Sequence, residues 1–212
     1  MVSHRALKAQ PAHGIAAAPG TEDTMFMATQ PIGQQRGQLV SVEEYLSSGY
    51  KPDCEYEDGV IVERNLGEFE HSFLQVLLGT IFTNNMDKWG VFGLTEHRVQ
   101  IGPRKFFVPD VCVLRVGASA EDILTKPPFI VLEIMSPEDT MRRAAKKAAD
   151  YLQFGVEHVW VIDPSARLAY RGVASGLERV PNCELAVPET SIAIRATELF
   201  EKLDRIRTMG SE

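Results

Sequence analysis

Apolar and polar positions divide the chain into an unpatterned start and a strongly patterned remainder. Residues 1–38 are rich in Ala, Gly, Gln, Pro and Thr and show no sustained period, which predicts a disordered leader with Met25 or Met27 as an alternative start. From Leu39 onward the pattern predicts a single domain over 39–205, with 206–212 as a C-terminal tail. Ser41 and Glu44 have the spacing of a capping box that opens a short helix through Leu46. Residues 55–64 read as a hairpin turning at Asp58-Gly59, a dipeptide that supplies the positive φ angles of a tight turn. Phe69, Phe73, Val76, Leu77 and Ile81 recur at helical spacing along one apolar face and predict a long helix over 68–88. Strands are expected over 90–100, 106–114 and 129–135, then a helix over 141–154 that Gly155 stops as a C-cap. A strand pair at 158–163 and 168–172 and a short helix at 196–203 complete the pattern. Strands and helices mix without strict alternation. The expected fold class is therefore α/β with a mixed sheet flanked by helices, not a doubly wound one.

Composition narrows this picture only a little. A chain of 212 residues with 44% hydrophobic and 24% charged residues is ordinary globular material that can bury a sizeable core. No run is apolar for long enough to cross a bilayer, and the N-terminus lacks the order of a secretory signal. Cys54, Cys112 and Cys183 are widely spaced and odd in number, which predicts free thiols in a reducing cytoplasm rather than disulfides or a zinc cluster. A net charge of −7 argues against a nonspecific nucleic-acid coat. It leaves room for an acidic metal site with a local basic patch.

Two carboxylates stand out against apolar surroundings. In Phe129-Ile130-Val131-Leu132-Glu133-Ile134-Met135, Glu133 shares a strand face with Phe129, Val131 and Met135. Val108-Pro109-Asp110-Val111-Cys112-Val113-Leu114 repeats the arrangement around Asp110. An ionised carboxylate so placed is costly unless a cation or several donors hold it. One reading sets each acid at a strand end, solvated or paired with an arginine. The other gives the two acids one shared hard divalent ion such as Mg²⁺, with Mn²⁺ as its substitute. On the following helix, Ala144, Ala148, Tyr151, Leu152 and Phe154 form an apolar stripe that includes Lys147. That lysine either snorkels to solvent or reaches the carboxylate pair or a phosphate.

In their order and spacing these residues resemble the Uma2 restriction endonuclease family of the PD-(D/E)xK nuclease superfamily. The likeness runs from Val40 to Leu203. It is carried by Pro109-Asp110, Glu133 in its apolar strand, Ser136-Pro137, and Lys147 with Tyr151. Cys54-Glu55-Tyr56-Glu57-Asp58-Gly59, His71, and Gly155-Val156-Glu157-His158-Val159-Trp160-Val161-Ile162-Asp163-Pro164 add to it. The resemblance implies a restriction-endonuclease-like core that hydrolyses DNA. Asp110, Glu133 and the Ile134 carbonyl would hold Mg²⁺, Glu55 would be a further acid, and Lys147 would orient water or stabilise charge. His71, Arg104, Lys105, Arg142, Arg143 and Lys146 would meet the nucleic acid, and two copies would pair as a homodimer. His97 and Arg98 are weaker candidates for the cleft; Asp163-Pro164 is expected as a turn and Trp160 as core. Two departures matter: Met135 stands where the superfamily lysine is expected, and Arg143 stands where many relatives carry Asp. They keep open a second reading, a nuclease-fold domain that binds DNA or protein without cutting, and RNA stays open as a substrate.

Overall fold

Two breaks divide the expected strands between two of the three sheets of the fold. The computed structural model describes residues 39–50, 53–64 and 68–209. The leader expected over 1–38 lies outside the described residues. In chain order the elements are α1 (Val42–Ser47), β1 (Glu55–Glu57), β2 (Val60–Val62), α2 (Phe69–Asn84), α3 (Met86–Trp89), β3 (Val91–Thr95), β4 (Val99–Gly102), β5 (Lys105–Phe107) and β6 (Val111–Arg115). They continue with β7 (Ile130–Ile134), α4 (Met141–Phe154), β8 (His158–Asp163), β9 (Leu168–Val173), β10 (Gly176–Arg179), β11 (Glu184–Ala186), β12 (Ala193–Arg195) and α5 (Ala196–Met209).

The strand expected over 90–100 is interrupted after Thr95, where Glu96 adopts a left-handed φ of 51°. The strand expected over 106–114 is interrupted before Val111, next to Pro109, which has no N–H to give to a ladder. As a result β4 and β5 join the hairpin in a sheet of order β2-β1-β5-β4. The strands β3 and β6 enter a six-stranded sheet of order β10-β9-β8-β7-β6-β3. Only β7 and β8 pair in parallel in that larger sheet, with α4 as the crossover between them, so the sheet is mixed as expected.

Local chemistry sets the element ends. The Asp58-Gly59 turn closes the hairpin with φ angles of 49° and 99°. Ser41 Oγ accepts the Glu44 N–H at 3.1 Å to cap α1. Thr140 caps α4 by accepting from the Arg143 N–H at 3.2 Å, and Gly155 ends it at φ 108°.

The long helix departs from expectation. It stops at Asn84 and restarts as α3, and its core face is Leu74, Leu78 and Phe82. Phe69 and Val76 are 56% and 66% exposed. Apolar residues surround this helix on more than one side, so their spacing alone cannot select the inner face. On one side of the large sheet, α2 and α5 pack with β11 and β12 over Val111, Ile130, Leu132 and Ile162. On the other, α4 covers Cys112, Val131 and Val159 with Ala148 and Tyr151. A third cluster joins α1 to the small sheet through Tyr45, Tyr56 and Phe106. The final helix runs to Met209, beyond the end expected at residue 203. The strands β10, β11 and β12 are too short and polar on one side to show a period, and the sequence reading passes over them. All three cysteines are buried. Among the described residues, no helix is long and apolar enough to cross a membrane.

Candidate active site

The register of two strands puts the two unusual acids side by side. Val111 pairs with Leu132 across the antiparallel β6–β7 ladder. One step outward on each strand places Asp110, in the break before β6, beside Glu133 in β7. The Ile134 N–H accordingly donates to Asp110 Oδ2 at 2.7 Å. From the small sheet Glu55 enters at the start of β1, from the end of the hairpin Arg64, and from the first turn of α2 His71. The crossover helix contributes Lys147 and Tyr151, four residues apart and so on one face. The resulting cleft is lined by Glu55, Arg64, His71, Asp110, Glu133, Ile134, Met135, Ser136, Asp139, Arg143, Ala144 and Lys147.

Every acid in this cleft is met by a cation. Asp110, 4% exposed, accepts from Arg64 Nη2 at 2.8 Å and lies 3.1 Å from His71 Nε2, both on Oδ1. Its main-chain carbonyl accepts from Gln75 Nε2 at 3.0 Å. Burial would raise this carboxyl, but the bond and charge of His71, then Lys147 and Arg64, hold it below the usual carboxylate range. Burial pulls His71 down, while its bond to Asp110 and the charge of that carboxylate together outweigh it and leave it raised. His71 Nδ1 is buried without a hydrogen-bond partner.

Glu133 receives Lys147 Nζ at 3.0 Å and the Tyr151 hydroxyl at 2.8 Å. Burial raises its carboxyl to about 7; Lys147 opposes the shift, and Asp110 and Glu55 reinforce it. Lys147 Nζ also lies 2.6 Å from Glu55 Oε1, which accepts the Val108 N–H at 3.1 Å. Burial works against the lysine's charge, yet Glu133, Glu55 and Asp110 keep it protonated above its ordinary range. The Tyr151 hydroxyl is pushed well up by burial and by Glu133.

Of the residues singled out in the sequence, Asp110, Glu133, Lys147, Glu55, Ile134 and His71 converge here. Arg143 also lines the cleft, 4.0 Å from Asp139. Arg104, Lys105, Arg142 and Lys146 do not line it. Arg104 faces Asp58 at 3.9 Å, Lys105 binds Asp150 at 2.6 Å, and Lys146 binds Glu57 at 2.9 Å. His97 bonds the Glu121 carbonyl at 2.9 Å and Arg98 pairs with Asp53, so neither faces the cleft. Asp163 accepts the Ala166 N–H at 2.8 Å in a turn, and Trp160 is buried.

Three participants were not singled out as site residues. Arg64 follows a short hairpin strand with no pattern around it. Gln75 sits one turn beyond His71 on α2. Tyr151 looks like stripe filler until its i, i+4 relation to Lys147 is noticed. Among the described residues, no three His, Cys, Asp or Glu side chains form a metal-binding group.

Comparison with known proteins agrees with this architecture. The crystal structure of a putative nuclease belonging to DUF820 from Anabaena variabilis ATCC 29413 matches at TM-score 0.67 and 21% identity, covering 77% of this chain and 99% of that one. At that identity the likeness is one of fold. A search of curated proteins finds no match. The Uma2 family, described as putative restriction endonuclease, matches residues 42–179, more than half of the chain. The chain belongs to the Uma2 family of putative restriction endonucleases.

Proposed function

We propose that the cleft hydrolyses DNA phosphodiester bonds with the help of a divalent cation, Mg²⁺ or in its place Mn²⁺. The observation that carries this reading is the placement of Asp110 beside Glu133 with Lys147 on Glu133 at 3.0 Å. The donor set fits a hard ion. Mg²⁺ is satisfied by one or two carboxylates plus waters and substrate oxygens, so it does not need a third acidic side chain. Asp110, Glu133 and the Ile134 carbonyl would hold it, with Glu55 as a further acid nearby. Such an ion, when bound, supplies polarisation of the phosphate and a more acidic water.

The chain's own groups account for the rest. Lys147 stays protonated, so its amine stabilises negative charge that develops on the phosphate oxygens and orients the attacking water. Tyr151 fixes the Glu133 carboxylate through Oε1. His71 and Arg143, both lining the cleft, would meet the DNA backbone. Pairing of two copies, so that two clefts serve two strands, belongs to the proposal by analogy with nuclease dimers.

A second reading, a nuclease fold that binds without cutting, draws on Met135 at the usual lysine position and on carboxylates already matched by cations. One titration separates the two. Purified protein should bind Mn²⁺, lose that binding in Glu133→Gln and Asp110→Asn, and cut plasmid DNA only in the wild type. Folded wild type that neither binds Mn²⁺ nor cuts overturns the proposal.

A further inference from the structure

Arg64 shares the Oδ1 oxygen of Asp110 with His71. Its Nη2 is 2.8 Å from Asp110 Oδ1, and its Nη1 is 3.3 Å from Glu96 Oε1. The two acids differ sharply in setting. Asp110 is 5% exposed at its side chain and Glu96 is 55% exposed. The guanidinium therefore bridges the interior of the cleft to its rim. Three acids, Glu55, Asp110 and Glu133, already face three basic side chains, Arg64, Lys147 and His71. A divalent ion added to that set brings two further positive charges into the cleft, and the departure of one cation halves that excess.

Geometry selects which cation departs. Lys147 is held by both Glu133 and Glu55 and is only 18% exposed, with no partner toward the rim. His71 has one polar contact, Asp110, and its Nδ1 is buried. Arg64 alone among these three has a second acid waiting at the solvent edge. Asp110 itself need not move when it leaves. Its carbonyl is held by Gln75 Nε2 at 3.0 Å and by the Glu96 N–H at 3.3 Å, and its Oδ2 by Ile134.

We propose that Arg64 is an exchangeable latch that competes with the divalent cation for Asp110, and that on release it rests on Glu96, where its free guanidinium nitrogens meet the substrate phosphate. This rests on the metal-dependent reading above. The latch makes the cleft stable without metal and supplies a phosphate-binding arginine once metal arrives, so the same charge serves both states.

Mn²⁺ affinity measured by calorimetry, with thermal unfolding in chelator and in Mn²⁺, tests it without any activity assay. Arg64→Gln should bind Mn²⁺ more tightly by about tenfold, the scale of one charged hydrogen bond removed from the competitor. It should unfold earlier than wild type in chelator and gain more from Mn²⁺. Glu96→Gln, a change at an exposed side chain that leaves folding intact, should weaken Mn²⁺ binding because Arg64 loses its resting place. The Glu96→Gln effect should vanish in the Arg64→Gln background. Wild-type binding with unchanged or weaker affinity in Arg64→Gln overturns the latch and leaves the metal reading standing. Absence of Mn²⁺ binding from both proteins overturns the metal reading and the latch with it.

Discussion

Lys147 Nζ lies 3.0 Å from Glu133, joining a helix to a strand 14 residues earlier in the chain. The pair is half-buried, at 18% and 16% side-chain exposure, and Glu55 shares the same ammonium at 2.6 Å. Lys147→Met removes the one cation that both glutamates share. Breaking a fully buried pair costs about 3–5 kcal/mol, because the acids lose their cation, and this half-buried one should cost no more than that. The urea midpoint should fall accordingly. Mn²⁺-dependent DNA cleavage should drop to background even at temperatures where the variant is folded.

Met135 offers a direct check on how the lysine is supplied. It lines the same cleft, two residues after Glu133 and on the same strand face. In the Lys147→Met background, Met135→Lys should restore part of the cleavage and part of the lost stability. Recovery of stability without any cleavage would mean that the ammonium must come from the helix side. Gel cleavage rates beside melting curves distinguish the outcomes.

Much of this site is legible in the sequence, and the part that is not has a physical cause. Glu133 stands out as one charge in a run of five buried or half-buried strand residues, and period two assigns its face. Lys147 emerges from the stripe on α4, whose Gly155 stop is equally visible. Arg64 does not emerge. Its role comes from tertiary contact with Asp110, 46 residues away, and no local period marks a lone arginine after a hairpin. The inner face of α2 was hidden for the opposite reason, since apolar residues on several sides leave the spacing ambiguous. The division of the expected strands between two sheets turned on one left-handed residue, Glu96, and one proline. Neither residue type forbids a strand outright.

The Glu133 carboxyl, raised by burial to about 7, makes metal-free stability depend on pH in a defined direction. Between the ordinary value of 4.5 and about 7 the folded chain holds a proton that the unfolded chain has lost. Stability must therefore fall as pH rises through that window, by at most about 3 kcal/mol. His71, whose pairing with Asp110 outweighs its burial, adds a fall above 6.5. Urea unfolding in chelator from pH 4.5 to 8 should show the decline, and Glu133→Gln should remove the part centred below 7. A slope unchanged in Glu133→Gln would assign the proton elsewhere.

Tyr151 should act on the reaction only through Glu133. Its hydroxyl donates to Glu133 Oε1 at 2.8 Å and it does not line the cleft. Tyr151→Phe removes one hydrogen bond to a charged acceptor, worth about 1.5–3 kcal/mol. Mn²⁺ affinity should weaken and kcat should fall with KM for DNA nearly unchanged. The pH at which Mn²⁺ binding is half-maximal should move upward, because Glu133 loses a donor that favours its charged form. A purely structural role would lower the melting temperature and leave that pH where it is.

The seat of α4 on the sheet depends on Gly172 in β9. A Cβ there would meet Val159 Cβ at 3.0 Å, Leu152 Cδ1 at 3.4 Å and Ala148 Cβ at 3.5 Å. Two of those neighbours are on α4, and Ala148 directly follows Lys147. Gly172→Val forces extra methyl groups between helix and sheet, an overpacking that costs about 1–3 kcal/mol. The helix must shift outward to admit them, and Lys147 moves with it. Misplacement on the ångström scale is enough to lower cleavage by about a hundredfold. Gly49→Ala is the control, since nothing lies within 4 Å of its added Cβ. Gly172→Val should therefore lose activity out of proportion to its melting temperature, and Gly49→Ala should change neither. Full activity in a folded Gly172→Val protein would show that the Lys147–Glu133 contact does not depend on the close approach of α4 to β9.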